Sequence, residues 1–333
     1  MMVCRQGEAK GAYECLQVLG QGNFGVVYLG EDVTARRVAL KSVTLKKGAS
    51  SQQTSGWDAA VAEGALLHRL RHPHIVHCHE CFEEQCANSN VRRLWLVLDL
   101  MDGGDMNTFC KSRRQALAAP PDAPFVRRLV SAVGDALAYV HKARVLHRDV
   151  KCANILLSHG HARFALADFG LACGVHEDGH LEELSAGCGA AAVAPSAPGA
   201  IGTPSYLSPE VLCGKLHSAH SDAWALGVCA FRAATLQKPF EGRDELTLMM
   251  KIVNSAPVDL PWSCAADVAC AILGLLAKDC RKRLLPKDAI AMTRDAPIAR
   301  LDSLARQMAA LPPREFADLP TGWSRMPMAM SRL

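Results

Sequence analysis

Eight consecutive residues, His147-Arg148-Asp149-Val150-Lys151-Cys152-Ala153-Asn154, carry a carboxylate, an ammonium and an amide, and Asp168-Phe169-Gly170 follows nineteen residues after Asp149. Carboxylate and amide oxygens are hard donors suited to magnesium, and a carboxylate within reach of a hydroxyl can take its proton. The grouping is therefore suited to a magnesium-bound phosphate and a hydroxyl nucleophile. A single aspartate in this position would read as a solvated surface charge. Four functional groups, two carboxylates, an ammonium and an amide, at this spacing do not.

The elements that must position these residues are legible from pattern. Residues 13–43 read as three short strands, with Leu16, Val18, Val26, Tyr28, Val38 and Leu40 alternating with other residues. Between the first two lies Gly20-Gln21-Gly22-Asn23-Phe24-Gly25-Val26-Val27, where glycines let backbone N–H groups approach phosphate oxygens. A dinucleotide-binding turn would need a helix next. Val26, Val27, Tyr28 and Leu29 instead continue a strand. A helix is expected from Glu63, with Leu66, Leu67 and Leu70 on its buried stripe, fed by a polar link over 46–56 that reads as a flexible loop. Residues 94–101 read as a strand. Pro120, Pro121 and Pro124 precede a long amphipathic helix over 125–143, which delivers the 147–154 stretch. A hairpin of 155–157 and 163–167 then brings Asp168 back beside Asp149. Further helices are expected over 218–237, 245–254, 265–278 and 286–292, and 298–311 has the pattern of one more.

Two stretches call for separate treatment. His72-Pro73-His74-Ile75-Val76-His77-Cys78-His79-Glu80-Cys81 suggests a metal site, yet Cys78 and Cys81, three apart on a strand, would face opposite sides. His77, His79 and Cys81 would share a face, so a metal site there stays an alternative to a loop followed by a strand. Residues 187–199 are almost entirely Ala, Gly, Pro and Ser, a low-complexity tract expected to be mobile.

Taken in order, the glycine-rich hairpin, Val38-Ala39-Leu40-Lys41, Glu63, the 147–154 stretch, Asp168-Phe169-Gly170 and Gly202-Thr203-Pro204-Ser205-Tyr206-Leu207-Ser208-Pro209-Glu210 resemble eukaryotic protein kinases over about 13–292. Lys151 and Gly202-Thr203-Pro204 point to the serine/threonine type. Asp102-Gly103-Gly104-Asp105, Ser221-Asp222-Ala223-Trp224-Ala225-Leu226-Gly227 and Thr235-Leu236-Gln237-Lys238-Pro239-Phe240-Glu241 are similar to NIMA-related kinases. The resemblance implies an α+β, bilobal fold: an N-terminal extension 1–12, an N-lobe 13–98, a hinge 99–105, a C-lobe 106–292 and a tail 293–333.

It also implies the roles. Gly20, Gln21, Gly22, Asn23, Phe24, Gly25, Val27, Ala39, Lys41, Leu98, Asp99, Met101, Asp105 and Leu156 would bind ATP, with Lys41 paired to Glu63, Leu98 limiting access behind the adenine and Asp105 near the ribose. Leu98 is equally compatible with plain core packing. Asn154 and Asp168 would hold Mg2+, Asp149 would take the hydroxyl proton and Lys151 would neutralise the phosphoryl charge. Asp222 would anchor the catalytic-loop backbone, and Glu210 would be buried against Arg283, a pair whose rupture costs roughly 3 to 5 kcal/mol. The expected partners are a protein substrate with a Ser/Thr acceptor and an upstream kinase or allosteric activator. The subgroup suggests work in cell-cycle, cilium, flagellum or microtubule regulation, in the cytoplasm, on the cytoskeleton or in the nucleus.

One departure concerns regulation. Gly199 stands where that subgroup commonly carries a serine or threonine. Arg148 would then meet its negative charge from Ser196 or from Glu182 or Glu183, or Thr203 would serve. The competing class is a pseudokinase acting as a binding module or scaffold; loss of the lysine, either aspartate or the glycines would support it, and none is missing. A small-molecule kinase is disfavoured by the protein-docking loop around Thr203 and Glu210.

Composition fits this reading. Half of the 333 residues are hydrophobic and 21% are charged, enough for a large core, and a net charge of +4 gives no argument for nucleic acid or an acidic membrane as the main partner. The longest apolar run, 268–277, is about half of the roughly 20 residues a membrane span needs, and residues 1–12 carry charges rather than a signal-like apolar run. Fourteen cysteines without framework spacing suggest reduced thiols rather than a disulfide scaffold.

Overall fold

The computed structural model describes residues 2–3, 13–22, 25–46, 51–85, 91–175, 181–183 and 202–295. Asn23, Phe24, Ser196, Gly199, the 187–199 tract and the 293–333 tail beyond residue 295 lie outside them, as do the side chains of Glu182 and Glu183. The described residues group into two compact units. One draws on 1–109, 135–147 and 152–195, and the other on 110–134, 148–151 and 196–333.

In the first unit, alternation of buried and outward residues builds one antiparallel sheet. Its strands are β1 (Met2–Val3), β2 (Tyr13–Gly22), β3 (Gly25–Asp32), β4 (Arg37–Lys46), β5 (Cys78–Gln85) and β6 (Val91–Leu98), in the order β1-β2-β3-β4-β6-β5. Tyr13, Val38, Leu40, Trp95 and Val97 form an apolar cluster within it. Register does the positioning: Val27 stands opposite Lys41, Lys41 opposite Leu96, and Ala39 opposite Leu98. Helix α1 (Ser51–Arg69) packs on β4, β5 and β6 and buries Leu66 and Leu67.

Two sequence expectations fail here for physical reasons. The polar link over 46–56 is helical from Ser51 onward, so α1 begins well before Glu63. Nothing in 51–55 breaks a helix, and Trp57, buried beneath the Arg92 guanidinium 5.0 Å from its ring, secures the turn that follows. Ser51-Gln52-Gln53-Thr54-Ser55 has a polar composition that a loop and a helix end share. The second concerns Cys78 and Cys81, expected on opposite faces. A bulge between Cys78 and Glu80 inserts one residue, reverses the parity and brings both sulfurs into the electrostatic neighbourhood of Glu63 on α1.

Between the sheet and the chemistry-bearing stretch come α2 (Met106–Gln115), which pattern did not announce, and α3 (Ala123–Lys142). Strand β7 (Val145–Leu146) leads into the 147–154 stretch. A tight hairpin, β8 (Ile155–Leu157) with β9 (Phe164–Leu166), forms where one is expected and leads to Asp168. Strand β10 (Cys173–Val175) pairs with both β7 and β11 (Leu181–Glu183).

The second unit is helical. It contains α4 (Pro209–Leu212), α5 (Ala219–Thr235), α6 (Glu245–Asn254), α7 (Ala266–Leu275) and α8 (Pro286–Asp295). Helix α5 is nearly all buried, which its run of Ala, Trp, Leu, Val and Phe requires, and starts with a capping box between Ser218 and Ser221. Among the described residues no helix is long and apolar enough to cross a membrane, and no two cysteines are joined in a disulfide.

Candidate functional site

The site residues fall into three groups, each contained in one unit. The first gathers charges on the sheet. Lys41 on β4 lies 2.6 Å from the Glu63 carboxylate of α1 and 3.8 Å from Asp168. Burial disfavours the Lys41 ammonium, but the Glu63 and Asp168 carboxylates outweigh it and hold its pKa above the ordinary lysine value. Asp168 is 38% exposed on its side chain and adopts a positive φ of 61°. A non-glycine residue in that conformation is held there by its surroundings. Asn154 is buried, and its carbonyl accepts the N–H of Ala167, which ties it to the residue preceding Asp168. Gly25 has φ 141°, and a Cβ there would fall 2.0 Å from the Ser42 carbonyl oxygen, so the hairpin closes only with glycine.

The second group is apolar. Leu98 and Leu156 pack with Val76, Met101 and Ala165 in one cluster, so three of the expected adenine-contacting positions do come together. The segment after β6 is stitched to β8 by hydrogen bonds from Gly103 N–H to Leu157 and from Leu157 N–H to Gly104, both 2.8 Å. A side chain at Gly103 would meet the Ser158 carbonyl oxygen at 2.3 Å. Asp105, expected near a ribose, caps α2: its carboxylate accepts the Thr108 N–H at 2.9 Å and hydroxyl at 2.7 Å.

The third group belongs to the second unit. Lys151 donates to the Asp149 carboxylate at 2.6 Å, and the Thr203 hydroxyl donates to the same carboxylate at 3.2 Å. Asp222 at the start of α5 accepts the Arg148 N–H at 3.0 Å, the anchoring role expected of it. Arg148 itself has a positive φ of 64°. A phosphate on Thr203 would set like charge against Asp149, which bears on its candidacy as a regulatory residue. Beneath this group, Arg283 grips Glu210 through two hydrogen bonds of 2.5 and 2.8 Å. Burial pushes the Glu210 carboxyl up, but the Arg283 hydrogen bonds and charge prevail and leave it below the ordinary glutamate range.

The donor types suit a magnesium nucleotide: a charged ammonium 3.8 Å from a partly exposed carboxylate, and a buried amide at Asn154. The histidine-cysteine stretch goes elsewhere. His77 contacts the Arg71 guanidinium, His79 donates to Asp99 at 2.9 Å and the Cys81 sulfur lies against α1 at Gly64. Burial pushes the Cys78 thiol up to about 12, so it stays protonated. Among the described residues no three metal-ligating side chains gather.

Such a sheet, with its lysine held by a helix glutamate and a carboxylate-bearing loop anchored by a buried helix, has the organisation of a phosphate-handling kinase domain. The protein kinase domain model matches residues 13–293, and the chain belongs to that family. Its relatives carry kinase names, Nek4 and Nek5 that of serine/threonine-protein kinase. NUAK family SNF1-like kinase 2 of Homo sapiens is 32% identical over 245 residues, covering 73% of this chain and 34% of that protein. Serine/threonine-protein kinase Nek5 of Homo sapiens is 29% identical over 254 residues, covering 75% and 32%. Protein kinase 2 of Dictyostelium discoideum is 29% identical over 287 residues, covering 84% and 52%. The chain thus spans about a third of the length of the first two and about half of the third.

Proposed function

We propose that this chain is an active serine/threonine protein kinase that phosphorylates Ser/Thr hydroxyls of a protein substrate. The observation that carries the reading is Lys41, kept charged in a buried place by Glu63 and Asp168 together, an arrangement with no need of its own for a third charge. Lys41 and the glycines at 20, 22 and 25 would hold the phosphates of ATP, Leu98, Met101 and Leu156 its base, and Asp168 and Asn154 the Mg2+. When bound, Mg-ATP supplies the phosphoryl group and the metal charge that offsets its oxygens.

The chain's own residues do the rest. Asp149, oriented by Lys151 and Thr203, accepts the proton of the substrate hydroxyl, and Lys151 offsets negative charge beside it. The backbone anchor from Asp222 keeps this loop from shifting, which matters because most catalysis here is positioning. The wording of the 102–105, 221–227 and 235–241 stretches and the Nek-named relatives support a NIMA-related member with cell-cycle, ciliary or microtubule duties. A NUAK-named relative matches as closely, so the reading stands first at the level of serine/threonine kinases. Regulation through Arg148, by a phosphate on Ser196 or an acidic side chain, belongs to the same proposal.

The test is transfer of labelled γ-phosphate to a Ser/Thr protein substrate by wild type and Asp168→Asn. The expected result is turnover by wild type, none by the variant, and unchanged melting of both. Turnover by Asp168→Asn with unaltered metal dependence would overturn the role of Asp168.

A further inference from the structure

The two histidines that suggested a metal in the sequence lead to a different device. Asp99 is the first residue after β6, between Leu98 and Met101, and three donors converge on its carboxylate. His79 Nε2 donates to one oxygen at 2.9 Å; Arg163 donates to the other at 3.3 Å, and the His77 backbone N–H reaches that same oxygen at 3.4 Å. The Asp99 N–H in turn donates to the His77 carbonyl at 3.0 Å, so its backbone and side chain both bind the approach to β5. Arg163, from the turn of the β8–β9 hairpin, also donates to the Pro73 carbonyl at 2.6 Å. One carboxylate thus joins three segments that are far apart in sequence.

We propose that His79 and Arg163 are positioning residues for nucleotide binding: by clamping the Asp99 carboxylate they fix the backbone of residues 99–101, which would present its polar groups to adenine. This rests on the ATP-binding reading given above. The location supports it. Leu98 and Met101, on either side of the clamp, belong to one apolar cluster with Leu156 and Ala165, so a rotation at Asp99 would move the surface on which the base would lie. Because the Asp99 N–H is already committed to His77, the backbone groups left to face a base come from its carbonyl and from Met101. Charge-assisted hydrogen bonds to a partly buried carboxylate are among the stronger polar contacts, which gives the clamp enough strength to hold one backbone conformation.

The test uses the full chain, with His79→Leu removing the donor and His79→Gln keeping one, and reads two quantities: hydrogen exchange of the amides at 99–103, and Mg-ATP affinity with turnover. The expected result for His79→Leu is faster exchange over 99–103 and roughly threefold to tenfold weaker Mg-ATP binding with kcat retained, both restored by His79→Gln. Unchanged exchange in His79→Leu would overturn the clamp. Faster exchange with unchanged Mg-ATP affinity would overturn its link to nucleotide. If wild type bound no Mg-ATP, the ATP reading would fall and with it the nucleotide role, while the exchange data would still decide whether the clamp holds the segment.

Discussion

Two buried ion pairs, Lys41–Glu63 and Arg283–Glu210, are built from the same charges and differ in what they leave unused. Arg283 is fully buried. Besides its two bonds to Glu210 it donates to the carbonyls of Ala277, His220 and Lys278, and its guanidinium lies 5.0 Å from the Trp224 ring centre. Its donors are directed inward and committed. Lys41 is 14% exposed, makes one 2.6 Å contact to Glu63 and faces Asp168 at 3.8 Å, beyond hydrogen-bond length. An ammonium has three donors, so Lys41 retains capacity that Arg283 does not. The Arg283–Glu210 pair fastens a helical unit; the Lys41–Glu63 pair keeps donor capacity that a polyanion would take up.

The largest expected effect tests this contrast in stability. Glu210→Gln leaves Arg283 buried without its counter-charge and should cost about 3 to 5 kcal/mol in denaturant unfolding. Glu63→Gln should cost less, about 1 to 2 kcal/mol, because Lys41 keeps Asp168 and some contact with water, yet it should remove most turnover. Equal losses of stability would break the comparison.

A smaller effect sharpens it through a third cation. Lys278 lies beside Arg283, over the rings of Phe240 at 4.0 Å and Trp224 at 4.9 Å. Burial, then the Arg283 charge, lower its pKa to about 7, whereas Lys41, facing two carboxylates, moves up. In the unfolded chain Lys278 would hold its proton to about 10.4. Between pH 7 and 10 the unfolded state therefore binds more protons, and stability should rise with pH by at most about 1.4 kcal/mol per unit, less the attraction of the two rings. Urea unfolding at several pH values should show this rise in wild type and lose it in Lys278→Met. A wild-type profile that is flat, or that falls, would show that the rings and the Ile252 carbonyl, to which Lys278 donates, outweigh burial.

Which parts of this were readable beforehand follows from how local the causes are. The two ion pairs and the Asp222 anchor were expected from residue types in family order, and the geometry places all three. The start of α1 at Ser51 is not readable because Ser51-Gln52-Gln53-Thr54-Ser55 has the composition of a loop. Helix α2 is not expected from pattern, although Asp105, the residue also expected near a ribose, and Thr108 form its cap. The parity of Cys78 and Cys81 depended on a bulge, and a bulge leaves no mark in alternation until the partner strand is known. The clamp on Asp99 draws its donors from 20 and 64 residues away, a distance at which spacing carries no information.

The most direct measurement separates binding from transfer: Mg-ATP affinity and labelled γ-phosphate transfer to a Ser/Thr protein, in wild type and Asp149→Asn. The account predicts that both bind Mg-ATP alike while the variant loses about 10²- to 10⁴-fold in transfer, the contribution of a positioned base. Equal transfer by the two proteins, or a wild type that binds no nucleotide and transfers nothing, would contradict it.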